Sequence, residues 1–151
     1  MLASQQVIAR VAQLLVAAAT GAGARVYSDR FFPVDTYPAV KVVHVDEDLQ
    51  AADDDITWPA ARLHRLQLDV MGFVQVPTGL DAAMAALAEQ VLLALEATQA
   101  TATLNPLAGC QLTATGIRYQ AQAEGEASTG ITTVRLEVLF HTASNNPSTF
   151  I

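Results

Sequence analysis

Between Arg65 and Val76 the chain alternates with a period of two. Leu66, Leu68, Val70, Gly72, Val74 and Val76 fall on one side, and Arg65, Gln67, Asp69, Met71, Phe73 and Gln75 on the other. Successive side chains of an extended chain point to opposite faces, so the pattern predicts a strand over 62–76 with one buried and one mostly wet face. Burying its five aliphatic side chains is worth roughly 7–15 kcal/mol before chain entropy is charged. The period then changes. Leu80, Met84, Leu87, Ala88, Val91, Leu92 and Leu95 recur at helical spacing, which predicts a helix over 80–97 with its stripe in the core. Pro77-Thr78-Gly79 makes the turn, with Thr78 or Gly79 as N-cap and Asp81 well placed in the first turn. The many alanines of this helix favour helix formation and allow close packing on a sheet.

The rest of the chain supplies further layers. Val7, Ile8, Val11, Leu14, Leu15 and Ala18 form one stripe of a helix over 4–20, with Ser4 as N-cap and Gly21-Ala22-Gly23 as its stop. Arg25-Val26-Tyr27 reads as a short strand. Residues 39–45 read as a second one, apolar on both faces and so placed inside the sheet or at a subunit contact. Strands over 111–120 and 131–141 flank the turn-rich 124–130 and form a long antiparallel hairpin. In the first of these, Leu112, Ala114 and Gly116 oppose Thr113, Thr115, Ile117 and Tyr119. The tail, 143–151, has no periodicity and is expected to be flexible, ending in Phe150-Ile151, which could reach a neighbouring subunit.

Composition bounds the function. At 151 residues with 52% hydrophobic and 15% charged side chains, the chain is one ordinary folded domain whose surface is short of charge. That shortage suggests partial cover in an oligomer. A net charge of −7, with Lys41 and seven arginines as the only cations besides histidine, is not the electrostatic footprint of a nucleic-acid binder. One cysteine, Cys110, permits no internal disulfide and no cysteine-cluster metal site, and reads as a small buried hydrophobe. The run 11–19 followed by Ala22-Gly23-Ala24 has the outline of a signal peptide. However, no Lys or Arg precedes Arg10, and the helical spacing favours a structural helix. No apolar run is long enough to span a bilayer.

Candidate sites are few. Six of the fifteen acids, Asp46, Glu47, Asp48, Asp53, Asp54 and Asp55, fall in a long loop expected over 46–60. It lacks the alternating acids, glycine and closing glutamate of an EF-hand, so it reads either as a solvated loop or as one whose charge faces a channel or partner. Trp58 anchors its base. Phe31 and Phe32 either tuck under the sheet or meet a neighbouring subunit. His44, His64 and His141 lie in separate strands, with His44 read as a core or edge histidine and His64 and Arg65 as surface residues. No phosphate-binding glycine loop, nucleophile elbow or His-Glu-x-x-His motif occurs. The expectation is therefore a protein that is not an enzyme, with no catalytic residue, no metal and no cofactor.

Several stretches together carry a resemblance. The first helix leads into Arg25-Val26-Tyr27-Ser28-Asp29-Arg30, followed by Tyr37-Pro38-Ala39-Val40-Lys41-Val42. Arg65-Leu66-Gln67-Leu68-Asp69-Val70 precedes the 81–96 helix, and Val134-Arg135-Leu136-Glu137-Val138-Leu139-Phe140-His141-Thr142 closes the pattern. Over almost its whole length the chain resembles the tail terminator proteins of long-tailed bacteriophages and prophages, also called tail completion or minor tail U-like proteins. The resemblance implies an α+β domain with a mixed, mostly antiparallel sheet of about four to five strands and two helices on one face. It also implies a homo-oligomer, a hexameric ring at the head-proximal end of the virion tail, assembled in the bacterial cytoplasm. Such a ring stops tail tube polymerisation and joins the tube to the head connector, while genomic DNA passes through its lumen without specific binding and no membrane is involved.

On that reading the six acids line or rim the lumen, and Phe31, Phe32, Trp58, Phe150 and Ile151 are candidate subunit or partner contacts. The alternatives are another ring-forming neck or head-closure protein, a tail tube protein, or a small-ligand-binding α+β domain.

Overall fold

The computed structural model describes residues 1–28, 33–51, 61–100, 110–124, 127–143 and 145–150. In chain order the elements are α1 (Ala3–Ala17), β1 (Val26–Tyr27), β2 (Ala39–Ala51), β3 (Ala61–Val76), α2 (Leu80–Ala100), β4 (Gln111–Glu124), β5 (Ala127–Ala143) and β6 (Asn146–Phe150). The strands make one six-stranded sheet in the order β1-β2-β3-β5-β4, and β6 pairs with β5. The β1–β2 pairing is parallel and the others are antiparallel. The fold is α+β, as the sequence indicates.

The period-two strand is the centre of this sheet. On β3, His64, Leu66, Leu68, Val70, Gly72 and Val74 are buried, and the residues between them are not. On β5 the matching set is Thr132, Val134, Leu136, Val138, Phe140 and Thr142. The two strands pair along their length, with Leu66 opposite Val138 and Val70 opposite Val134, so two apolar rows merge into one surface. Val7, Val11 and Leu15 of α1 and Met84, Leu87, Val91 and Leu95 of α2 cover it and complete the core. Both helices thus lie on one face, the inner face. The opposite, outer face has no helix over it among the described residues.

Two glycines set how closely α2 seats. A Cβ on Gly72 would lie 2.5 Å from Leu87 Cδ2 and 2.9 Å from Thr132 Cγ2, and one on Gly130 would lie 2.5 Å from Met84 Sδ. Glycine there lets the helix stripe sink onto the sheet. Polar links hold the first helix in place. Gln90 Oε1 accepts from the Gly21 backbone N–H at 2.6 Å, and Gln6 Nε2 donates to the Ser148 carbonyl at 2.9 Å. Arg25 Nε donates to the Pro38 carbonyl at 2.7 Å, tying β1 to the start of β2.

Several boundaries differ from expectation for local reasons. Helix α1 begins at Ala3, so Ser4 sits inside the helix and is buried rather than capping it. It ends where Ala19 adopts a left-handed φ of 51°, ahead of the glycines. Gly79 fills the capping position of α2, with its carbonyl accepting from Ala83 N–H. Strand β2 runs on through Ala51, because residues 46–51 keep pairing with β3 past a bulge at His44/Asp46. Asp46, Glu47 and Asp48 are therefore strand residues and not the start of a loop. The aperiodic tail forms β6, which pairs with Thr142 and Ala143. There Phe150, half-buried, packs on Phe140 with ring centroids 5.3 Å apart.

Candidate functional site

A buried polar cluster joins three strands on the inner face. His64 is 4% exposed. Its Nδ1 lies 2.8 Å from Glu47 Oε1 and its Nε2 2.7 Å from Thr142 Oγ1. A carboxylate only accepts, so Nδ1 carries the proton that Glu47 receives, and the Thr142 hydroxyl completes the set at Nε2. The ring stacks on Phe140 at 4.6 Å. Glu47 Oε2 also meets His44 Nε2 at 3.4 Å. A hydroxyl, an imidazole and a carboxylate in a row have the order of a nucleophile, its base and an orienting group. Thr142, however, is 0% exposed. A hollow of about 130 Å³ reaches Glu47 and His64 from the side of Leu2 and Pro147 without reaching Thr142. The arrangement ties β2, β3 and β5 together in register, with its hydroxyl fully buried. Among the described residues no group of three or more His, Cys, Asp or Glu side chains is placed to hold a metal ion.

The outer face carries charge in cross-strand pairs. Arg135 makes a two-pronged contact with Asp69, Nε to Oδ1 at 3.0 Å and Nη2 to Oδ2 at 3.3 Å. The hydrogen bond and then the charge of Asp69 raise the Arg135 pKa above its ordinary value. Arg65 approaches Glu137 at 4.0 Å, and Lys41 lies over the Phe73 ring at 5.4 Å. A hollow of about 360 Å³ opens over the Asp69–Arg135 pair, lined by Met71, Thr133 and Gly116 among others. Cys110, half-buried at the foot of β4, packs against the core, and burial pushes its thiol up to about 11.

The open edges of the sheet are the remaining feature. Among the described residues strand β4 pairs on one side only, and Thr113 to Ala121 are exposed on both of its faces. A bulge between Ala114 and Gly116 shifts the register by one residue. Ile117 and Tyr119 thereby come level with the inner-face residues Val134 and Thr132, the opposite of the expected phase. They remain 45% and 48% exposed. At the other edge β1 covers β2 only at Val40 and Lys41. Past that point Val45 and Leu49 are 39% and 53% exposed. Residues 39–45 thus lie inside the sheet where β1 flanks them, with Val40, Val42 and Val43 buried, and the strand becomes an edge beyond.

The expected site residues separate into three groups. Asp46 and Asp48 are exposed on β2, and Asp48 is level with Arg65. Glu47 faces the other way, half-buried, and is occupied by two histidines. Strand alternation therefore splits the acidic run, and Glu47 is withdrawn as a lumen or loop acid. Phe150 packs within its own subunit. Asp53, Asp54, Asp55, Phe31, Phe32, Trp58 and Ile151 lie outside the described residues. His64, expected at the surface, is the residue sequence reasoning misplaced. The signal was present, since it stands in phase with Leu66, Leu68 and Val70. Thr142 stands likewise in phase with Phe140 and Val138.

No family model and no curated protein matches this chain. Among solved structures it is similar to a chain in the virion of native gene transfer agent (GTA) particle, at 15% identity and a TM-score of 0.39, over 91% of this chain and 97% of that one. Among the described residues no helix is long and apolar enough to cross a membrane.

Proposed function

We propose that this chain is a virion structural protein and, more finely, a tail terminator. In this reading its copies close into a six-fold ring on the head-proximal end of a phage-type tail. The ring stops growth of the tail tube, offers the surface to which the head connector binds, and lets DNA through its lumen. The role is mechanical and needs no catalytic group or cofactor. Two features support it: the sequence resemblance over nearly the whole chain, and a sheet that, among the described residues, ends in two long unpaired edges.

The observation that carries the reading is β4. A monomer gains little from a 14-residue strand with exposed side chains over most of its length and apolar groups at Ile117 and Tyr119. Exposed strand edges of this kind are aggregation hazards unless something pairs with them. A ring of identical subunits pairs them all. The exposed Asp46 and Asp48, together with Asp53, Asp54 and Asp55, would give the lumen a negative wall, along which DNA slides without phosphate contacts to capture it.

Purified protein examined by size-exclusion light scattering and electron microscopy tests this directly. Closed rings that end tube growth when added to polymerising tube protein are the expected result. Long self-assembled cylinders would reassign the chain to the tube itself, and a stable monomer that leaves tube growth unchanged would end the proposal. Replacing the five aspartates by asparagine should slow DNA ejection from assembled particles, and unchanged ejection would remove the lumen assignment.

A further inference from the structure

We infer that neighbouring copies join edge to edge, β4 of one subunit pairing antiparallel with β2 of the next, so that the sheet continues from subunit to subunit. The inference rests on the ring reading above and names the surfaces that would build it. Of the eight large apolar residues exposed among the described residues, four lie on these two edges: Val45 and Leu49 on β2, Ile117 and Tyr119 on β4. The edges are also complementary in charge. From Val43 to Ala51, β2 carries Asp46, Glu47 and Asp48 and no Lys or Arg, whereas β4 carries Arg118 and no acid before Glu124.

Direction fits as well. The pairings β2–β3, β3–β5 and β5–β4 are all antiparallel, so β2 and β4 run opposite ways. A second copy placed alongside in the same orientation therefore presents its β2 antiparallel to the first copy's β4, where hydrogen bonds are straightest. Self-pairing is disfavoured, because β2 against β2 sets acid against acid. A contact between two different edges repeats head to tail and closes into a ring when the rotation allows. The bulges at His44/Asp46 and Ala114/Gly116 bend both edges, leaving 46–51 and 116–124 as the regular stretches and restricting the register.

Two full-length variants test this. One, Ile117→Lys with Tyr119→Lys, blocks the β4 edge; the other, Val45→Lys with Leu49→Lys, blocks the β2 edge. Each alone should keep the native circular dichroism and thermal transition and run as a monomer. A 1:1 mixture should give a heterodimer and nothing larger, since one intact edge of each kind remains. Rings formed by either variant alone, or a mixture that stays monomeric, would overturn the pairing. Should a lysine variant fail to fold, Leu49→Cys with Tyr119→Cys in a Cys110→Ser background gives a second measurement. A short bismaleimide should then produce a ladder of covalent multimers, and rings that yield no ladder would overturn the pairing. Rings that survive both lysine variants keep the terminator reading and discard this interface. Open filaments abolished by either variant keep the interface and discard the ring.

Discussion

Strands β3 and β4 are of similar length and belong to one sheet, yet they differ in almost every physical respect. On β3 each second residue from His64 to Val74 is buried, because β2 and β5 flank it and both helices lie over the sheet. On β4 Leu112 is buried, and the residues from Thr113 to Ala121 are not. Among the described residues its neighbour β5 lies on one side only, its bulge inverts the phase, and Ile117 and Tyr119 stay about half exposed. Alternation thus states what a strand can bury. Whether it does so depends on what the rest of the chain places above it.

Core substitutions should separate the two strands most sharply. Leu68→Ala should cost about 2–5 kcal/mol, since a fully buried leucine leaves a cavity. Ile117→Ala should stay within about 0.5 kcal/mol in the monomer. Urea denaturation at low protein concentration measures both, and equal losses would break the contrast. Glycines give the next test. Gly72→Ala should cost about 1–3 kcal/mol, because its Cβ would press on Leu87 and Thr132. A Cβ on Gly116 meets nothing within 4 Å, so Gly116→Ala should be neutral or stabilise by about 0.4–1 kcal/mol.

Threonines sharpen the comparison further. Thr142→Val leaves His64 Nε2 buried without its hydroxyl partner and should cost about 1–3 kcal/mol, whereas the exposed Thr113→Val should change little. Cys110, where β4 leaves the core, gives the smallest effect. Burial disfavours its thiolate, so the folded group titrates near 11 against 9.0 for an ordinary thiol. The unfolded chain releases this proton first. Its stabilising contribution is therefore complete below pH 9.0 and is lost as the pH climbs towards about 11. Alkylation by iodoacetamide at pH 8 should accordingly be much slower in the native protein than in urea, and equal rates would place Cys110 outside the core.

The contrast between the strands also marks how much was readable beforehand. Local period located β3, α2 and β5 and named most of the core, since Leu66, Leu68, Val70, Leu136 and Val138 bury in the phase they display. It missed the continuation of β2 beyond Val45, because a bulge there breaks the phase and the acids resemble a loop. It missed β6 because a five-residue strand paired at only two positions leaves no pattern of its own. His64 was misplaced because a polar residue at the end of an apolar row suggests solvent until its partners are known. Those partners, Glu47 and Thr142, are 17 and 78 residues away.

The sequence by itself determined the α+β class, the central strand, the two amphipathic helices and the acidic, cysteine-poor character of the chain. These follow from side-chain period and composition, which act over a few residues. Only the tertiary structure decided that Glu47 turns inward to a buried histidine, that Phe150 packs on its own core, and that Ile117 and Tyr119 share the inner-face register without cover. Each of these depends on strand register and on which elements pack over the sheet, and both are set by contacts between segments far apart in the chain.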